Sequence, residues 1–281
     1  MKVAIYRMHY GTEFLIQSIN SIIESVDHVF VFYSMRPWCG TGTQIQYLGK
    51  TVTIPTLHED VRSLMCANFS NKSKVTWHQY ECETPRNQFR NLYDIANVHA
   101  KHMGYRQIET ALLMEPDMIF VNDDADKFIT ATINSAAQSL SIHQIELWSI
   151  LADHSRQKVI IYRIPGRPRL GPTCWNTKNE DDSWTTEFGT YNSNTEVFGG
   201  IENYNVGFLY NKETMLYKHL TAIGFSAKIG DSIPSDVWFE DKWTNWTPDK
   251  IDLEIAEKWR YTIKKADIYD ITFNLVEKLG I

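Results

Sequence analysis

The chain predicts an α/β fold, a doubly wound and mainly parallel sheet with helices on both faces. Three observations predict it. Over the first half, short apolar runs alternate with amphipathic stretches in repeated β, α, β order. The runs are continuous, as in strands covered on both faces, rather than alternating apolar and polar. One of them, Thr110-Ala111-Leu112-Leu113-Met114-Glu115-Pro116-Asp117-Met118-Ile119-Phe120, carries two carboxylates flanking a proline. Acids at the C-terminal end of a buried strand stand where open α/β sheets place their ligands.

Taken in order, residues 3–7 read as a strand and residues 13–25 as a helix, with Phe14, Ile16, Ile19, Ile22 and Ile23 at helical spacing. Val29-Phe30-Val31-Phe32 is a second buried strand, so the chain opens on a βαβ unit. Residues 50–55 and 74–80 read as further short strands, with a helix around 60–67 between them. Thr84-Pro85 opens a helix over 86–103: threonine suits the cap, proline the first turn, and Gly104 the stop. After the acidic strand, Asp123 or Asp124 starts a helix toward residue 139. Residues 146–150 and 158–162 form an extended pair, a hairpin turning near 153–157. Residues 165–204 are dense in Gly, Pro, Asn, Asp, Ser and Thr, interleaved with Trp175, Trp184, Phe188, Tyr191 and Phe198. A polar stretch of that length reads as a functional loop or lid over the site. Helical pattern resumes at 212–223 and near 249–259, and no repeat, low-complexity tract or linker divides the chain.

Composition narrows the function classes. The 281 residues are 43% hydrophobic, enough for a sizeable core, and the net charge of -6 without a Lys/Arg block argues against non-specific nucleic-acid binding. Cys39, Cys66, Cys82 and Cys174 form no CxxC pair, which reads as reduced thiols rather than a zinc site or disulfide scaffold. Met1-Lys2-Val3-Ala4-Ile5-Tyr6-Arg7 meets charge too soon for a signal peptide, and no apolar run of about 18 residues is present. The expectation is a soluble, cytoplasmic protein. Nine histidines show no HxxxH or HExxH spacing, and GxSxG, P-loop and GxGxxG patterns are absent.

Glu115 and Asp117 are hard oxygen ligands, of the kind that suits Mg²⁺ or Mn²⁺ better than zinc and that bridges such ions to substrate phosphates. Their i, i+2 spacing puts both side chains on one side of an extended backbone, and Pro116 favours extension of the residue before it. Two acids capping the exposed end of a strand is the alternative that the pair alone leaves open.

In context the chain resembles the GT-A glycosyltransferases, specifically the family 2-like group of nucleotide-sugar-dependent enzymes. Val3-Ala4-Ile5-Tyr6-Arg7-Met8-His9-Tyr10-Gly11-Thr12-Glu13-Phe14-Leu15 looks like that family's first strand, loop and helix, and Val26-Asp27-His28-Val29-Phe30-Val31-Phe32 like its second strand. Arg86-Asn87-Gln88-Phe89-Arg90-Asn91 resembles the basic, Asn-containing helix start before the family's acidic motif, and Glu115-Pro116-Asp117 falls where the family has Asp-x-Asp. The resemblance implies a GT-A-like fold over 1–281, with a nucleotide-sugar-binding half at 1–140 and an acceptor and lid half at 141–281. It implies a divalent cation, Mn²⁺ or Mg²⁺, on Glu115 and Asp117 that neutralises a donor diphosphate. Arg86 and Arg90, with Asn87 between them, would face the same phosphates, although a solvated helix face accounts for the two arginines equally well. Glu240-Asp241 looks like the family's Glu-Asp base motif, with Asp241 as the base toward a carbohydrate or other hydroxyl acceptor and Glu240 as its neighbour. The activity so implied is metal-dependent glycosyl transfer with inversion. A nucleotidyltransferase and a non-catalytic carbohydrate-binding protein of the same fold are the rival readings. Arg7-Met8-His9-Tyr10-Gly11-Thr12 is a poor version of the loop a nucleotidyltransferase needs. Two departures from the family pattern stand out: Glu115 replaces the first Asp, and Tyr33-Ser34-Met35 stands where acids usually hold the base or ribose. Trp238, Trp243 and Trp246 recur near helical spacing, which suits core packing as well as acceptor stacking. Arg163, Arg167 and Arg169 make a cationic loop, equally consistent with phosphate contact or plain solvation.

Overall fold

A computed structural model describes residues 1–36, 43–54, 61, 63–65, 71–81, 88–153, 158–163, 169–177, 195–207, 209–229, 238–247, 249 and 264–265. In chain order its main elements are β1 (Lys2–Met8), α1 (Leu15–Asn20), β2 (His28–Tyr33), β3 (Gln44–Tyr47), β4 (Lys50–Thr53), β5 (Val75–Gln79), α2 (Gln88–His102), β6 (Thr110–Met114) and β7 (Met118–Phe120). There follow α3 (Asp124–Asn134), β8 (Ser139–Asp153), β9 (Lys158–Arg163), β10 (Arg169–Asn176), β11 (Thr195–Phe198), β12 (Asn203–Asn205), α4 (Lys212–Ile229) and β13 (Lys264–Lys265).

The continuous apolar runs have the cause expected of them, because β6, β1, β2 and β5 lie side by side in parallel and both faces are covered. Alternate side chains then serve two cores. Ala4, Tyr6, Met8, Val29, Val31, Leu112 and Met114 pack on one face against Leu15 and Ile19 of α1 and Phe128 and Ile129 of α3. Val3, Ile5, Phe30, Phe32, Ala111 and Leu113 pack on the other against Leu92, Tyr93 and Ala96 of α2. α1 also holds β7: Ser18 Oγ donates to the Met118 carbonyl at 2.5 Å, and Ser21 Oγ accepts the Phe120 N–H at 3.2 Å.

The second half of the sheet is antiparallel, so the whole is a mixed α/β sheet flanked by helices. β10 runs between β6 and β8, β8 pairs β9 as a hairpin with Asp153 opposite Lys158, and β13 closes that edge. This corrects the reading of residues 165–204 as one long loop or lid. Residues 169–176 and 195–198 are sheet strands, and Trp175 and Cys174 are fully buried. The polar composition hid them because β10 carries Gly171, Pro172 and Thr173 between its apolar contacts. Trp184, Phe188 and Tyr191 lie outside the described residues, as do Arg167 and nearly all of the helix expected at 249–259. Of the helix expected at 60–67, residues 61 and 63–65 are helical. No helix among the described residues is long and apolar enough to cross a membrane.

Candidate functional site

β6 ends at Met114, and Glu115-Pro116-Asp117 turns the chain into β7, closed by the Met118 N–H on the Glu115 carbonyl at 3.1 Å. The Asp117 carbonyl accepts the Val206 N–H at 2.9 Å, which docks the end of β12 on this turn. Both acids are thus carried by the central parallel strand at its C-terminal end. Each has a cation. Arg7, on the neighbouring strand β1, donates through Nη2 to Glu115 Oε1 at 2.5 Å, and its guanidinium lies 4.6 Å over the ring of Phe89 at the start of α2. Lys218, on α4, donates through Nζ to Asp117 Oδ2 at 3.0 Å and to the Gly207 carbonyl at 3.2 Å.

Gly207 is required by this approach, because a Cβ there would stand 2.2 Å from Asp117 Oδ2 and 2.4 Å from Lys218 Nζ. Its own N–H is held by Asn205 Oδ1 at 2.9 Å. Asn205 Nδ2 in turn donates to Gln144 Oε1 at 3.3 Å, and Gln144 Nε2 to Asn203 Oδ1 at 2.7 Å. This chain of buried amides fixes the backbone beside Asp117, since every link would be costly to leave unpaired.

Tyr210 forms the floor. Its hydroxyl sits against Gly11, where a Cβ would come within 2.2 Å, and Gly11 has a left-handed φ of 90°. Burial pushes the phenol well above its ordinary pKa, and the carboxylates of Asp117, Glu13 and Glu115 push it the same way. Tyr210 therefore stays a neutral phenol among acids. Glu13 Oε1 also accepts Thr214 Oγ1 at 2.7 Å and the Asn211 amide, while Asn211 Oδ1 caps α4 through the Thr214 N–H at 2.9 Å. That tie sets the start of α4, and with it the reach of Lys218.

Of the expected site residues, Glu115 and Asp117 stand at the end of β6, but in a turn closed by the Met118 N–H on the Glu115 carbonyl rather than on the extended backbone that the i, i+2 reading assumed. Arg86 and Asn87 lie outside the described residues. Arg90 is half-buried on α2, where its charge opposes the rise that burial imposes on the Asp94 carboxyl one turn on. Glu240 is half-buried in the single π-helical turn Phe239–Thr244, which also carries the backbone of Asp241. The tryptophans beside it are half-buried against other aromatic rings: Trp238 stacks on His219 at 5.2 Å, Trp243 on the buried Phe239 at 5.4 Å, and Trp246 meets Trp148 edge-on at 6.3 Å. At the second-strand position where acids were missing, Ser34 is fully buried and donates to the Arg36 carbonyl at 2.9 Å.

Sequence reasoning missed Arg7 as a partner of Glu115, and Gly207, Tyr210 and Lys218 altogether. Arg7, a charge ending an otherwise apolar strand, was the legible signal. Lys218, an ordinary charged residue within a helix, gave none.

A divalent ion is the group the resemblance implies for Glu115 and Asp117. Asp117 Oδ1 is buried without a hydrogen-bond partner, which leaves a hard oxygen available. No group of three or more His, Cys, Asp or Glu able to hold a metal occurs among the described residues, so an ion here would rest on these two carboxylates alone. That set fits an ion such as Mg²⁺, which keeps several waters and takes its remaining ligands from phosphates.

The fold is similar to several solved structures at low identity. S. aureus TarS 1-349 is 14% identical with a TM-score of 0.36, over 80% of this chain and 66% of that one. The same protein in complex with UDP-GlcNAc is 13% identical with a TM-score of 0.36, over 87% and 72%. A 4-diphosphocytidyl-2C-methyl-D-erythritol synthase from Anaerococcus prevotii is 11% identical with a TM-score of 0.39, over 77% and 94%. This chain thus spans about two thirds of the TarS length. No family model and no curated protein matches.

Proposed function

We propose that the chain is a GT-A-like glycosyltransferase that moves a sugar from a nucleotide-sugar donor to a hydroxyl acceptor, with inversion. The observation that carries this reading is the pair Glu115 and Asp117 at the C-terminal end of the central parallel strand, each paired with a cation. Glu115 and Asp117 would hold Mn²⁺ or Mg²⁺, and such an ion stabilises the negative charge that develops on a departing diphosphate. The chain's own groups do the rest. Arg7 and Lys218 add positive charge beside the same acids, and Tyr210, neutral, keeps a third negative charge out of the floor. Asp241 takes the proton from the acceptor hydroxyl as its oxygen bonds to the anomeric carbon, while the bond to the diphosphate oxygen breaks and leaves its electron pair there. Glu240 stands beside it. Arg90, near the start of α2, would border the donor, and the resemblance gives Arg86 and Asn87 the same role.

Thermal-shift screening against UDP-, GDP-, CMP- and dTDP-sugars, with and without Mn²⁺, followed by turnover, tests this reading. Metal-dependent stabilisation by one nucleotide class and sugar transfer abolished by Asp117→Ala are expected. An unimpaired Asp117→Ala sinks the site assignment; pyrophosphate release from a nucleoside triphosphate in place of sugar transfer makes the chain a nucleotidyltransferase.

A further inference from the structure

We propose that Lys218 is a built-in cation that competes with the divalent ion for Asp117, so that loading the site requires the ammonium to leave. The inference rests on the metal reading above and goes beyond it. Lys218 Nζ is bound as a small cation would be: Asp117 Oδ2 lies at 3.0 Å, the Gly207 carbonyl at 3.2 Å, and the face of Tyr210 at 5.1 Å. The missing Cβ of Gly207 makes room for it. Of the two Asp117 oxygens, the ammonium takes Oδ2 and leaves Oδ1 without a partner. A dication on this carboxylate would sit within a few ångströms of the ammonium, and two such charges repel strongly even at high effective dielectric. The side chain can yield, because Lys218 is 27% exposed and its four-carbon stem is flexible. Arg7 differs: it is 9% exposed, stacked on Phe89 and fixed to Glu115, so the first acid stays neutralised while the second exchanges partners. The metal-free site is thereby spared a bare buried carboxylate, at the expense of weaker metal binding.

The test is Mn²⁺ binding by the full chain, read by water-proton relaxation and calorimetry, for wild type, Lys218→Gln and Lys218→Arg, with circular dichroism confirming the fold. Lys218→Gln is expected to bind Mn²⁺ about tenfold or more tightly, the scale of a charge pair removed near a protein surface, and Lys218→Arg to stay near wild type. In wild type, saturating Mn²⁺ is expected to raise the acylation rate of Lys218 measured by mass spectrometry, a readout that needs no variant. Unchanged Mn²⁺ affinity in Lys218→Gln, or unchanged Lys218 reactivity, overturns the competition while leaving the metal reading intact. Binding of Mn²⁺ by neither chain overturns both.

Discussion

Gly207→Ala isolates the central device of the site, because the new methyl would occupy space that the ion pair already fills. A Cβ at this position lies 2.2 Å from Asp117 Oδ2, 2.4 Å from Lys218 Nζ and 2.8 Å from Asn205 Oδ1, all well inside contact distance. The backbone offers little escape, since the Gly207 N–H is tied to Asn205 and its carbonyl to Lys218. The substitution therefore has to separate Asp117, 4% exposed, from its ammonium. Breaking a buried pair costs about 3 to 5 kcal/mol, and the partial exposure of Lys218 argues for the lower end, about 3 kcal/mol. For a chain of this size that is a fall of about 5 °C in Tm. Urea and thermal unfolding of wild type and Gly207→Ala measure it, with Gly199→Ala as control, because a Cβ at Gly199 meets nothing within 4 Å. Adding Lys218→Ala to Gly207→Ala is expected to cost less than the two changes separately, since they act on the same pair. A Gly207→Ala chain within about 0.5 kcal/mol of wild type, the range of a neutral surface change, would show that the close approach of Asp117 and Lys218 does not exist in solution.

Two further predictions follow from buried groups away from the acids. Burial holds the His28 imidazole down at about 4, with the charges of His78 and His99 acting in the same direction. Its neutral form is favoured by folding, so the stability it permits is present above the unfolded value near 6.5 and is lost as pH falls from there toward 4. The shift corresponds to about 3 kcal/mol at most. Urea midpoints between pH 7 and 4 should fall less steeply for His28→Gln, and parallel curves would refute the assignment. Cys174 is fully buried and its thiol is pushed up to about 12 by that burial, so iodoacetamide at pH 8 should leave it unlabelled in the native chain and label it in urea. Peptide mapping decides this, and native labelling at the rate of a free thiol would contradict the packing of β10.

The parallel half of the sheet was legible because its strands are apolar on both faces and its helices repeat at 3.6 residues. The βαβ start, the helix ending at Gly104 and the hairpin of β8 and β9 were each read from the sequence, but α1 is only Leu15–Asn20, β8 begins at Ser139 rather than near 146, and the acidic run is two strands, β6 and β7, parted by a turn. β10 was missed because its strand signal is diluted by Gly171 and Pro172, and it earns its place from non-local pairing with β6 and β8. The tryptophans after residue 237 left core and acceptor roles open, and the structure shows them half-buried against His219, Phe239 and Trp148.

By itself the sequence determined that this chain builds a covered α/β sheet and that Glu115 and Asp117 fall at the C-terminal end of a buried strand. Both follow from local rules, apolar runs and the turn residues that bound them, which act over a few residues. Only the tertiary structure decided what those acids face. Arg7 reaches Glu115 from 108 residues away, and Lys218 reaches Asp117 from 101. Such partners are chosen by strand order and helix docking, and no local pattern around residue 115 encodes them.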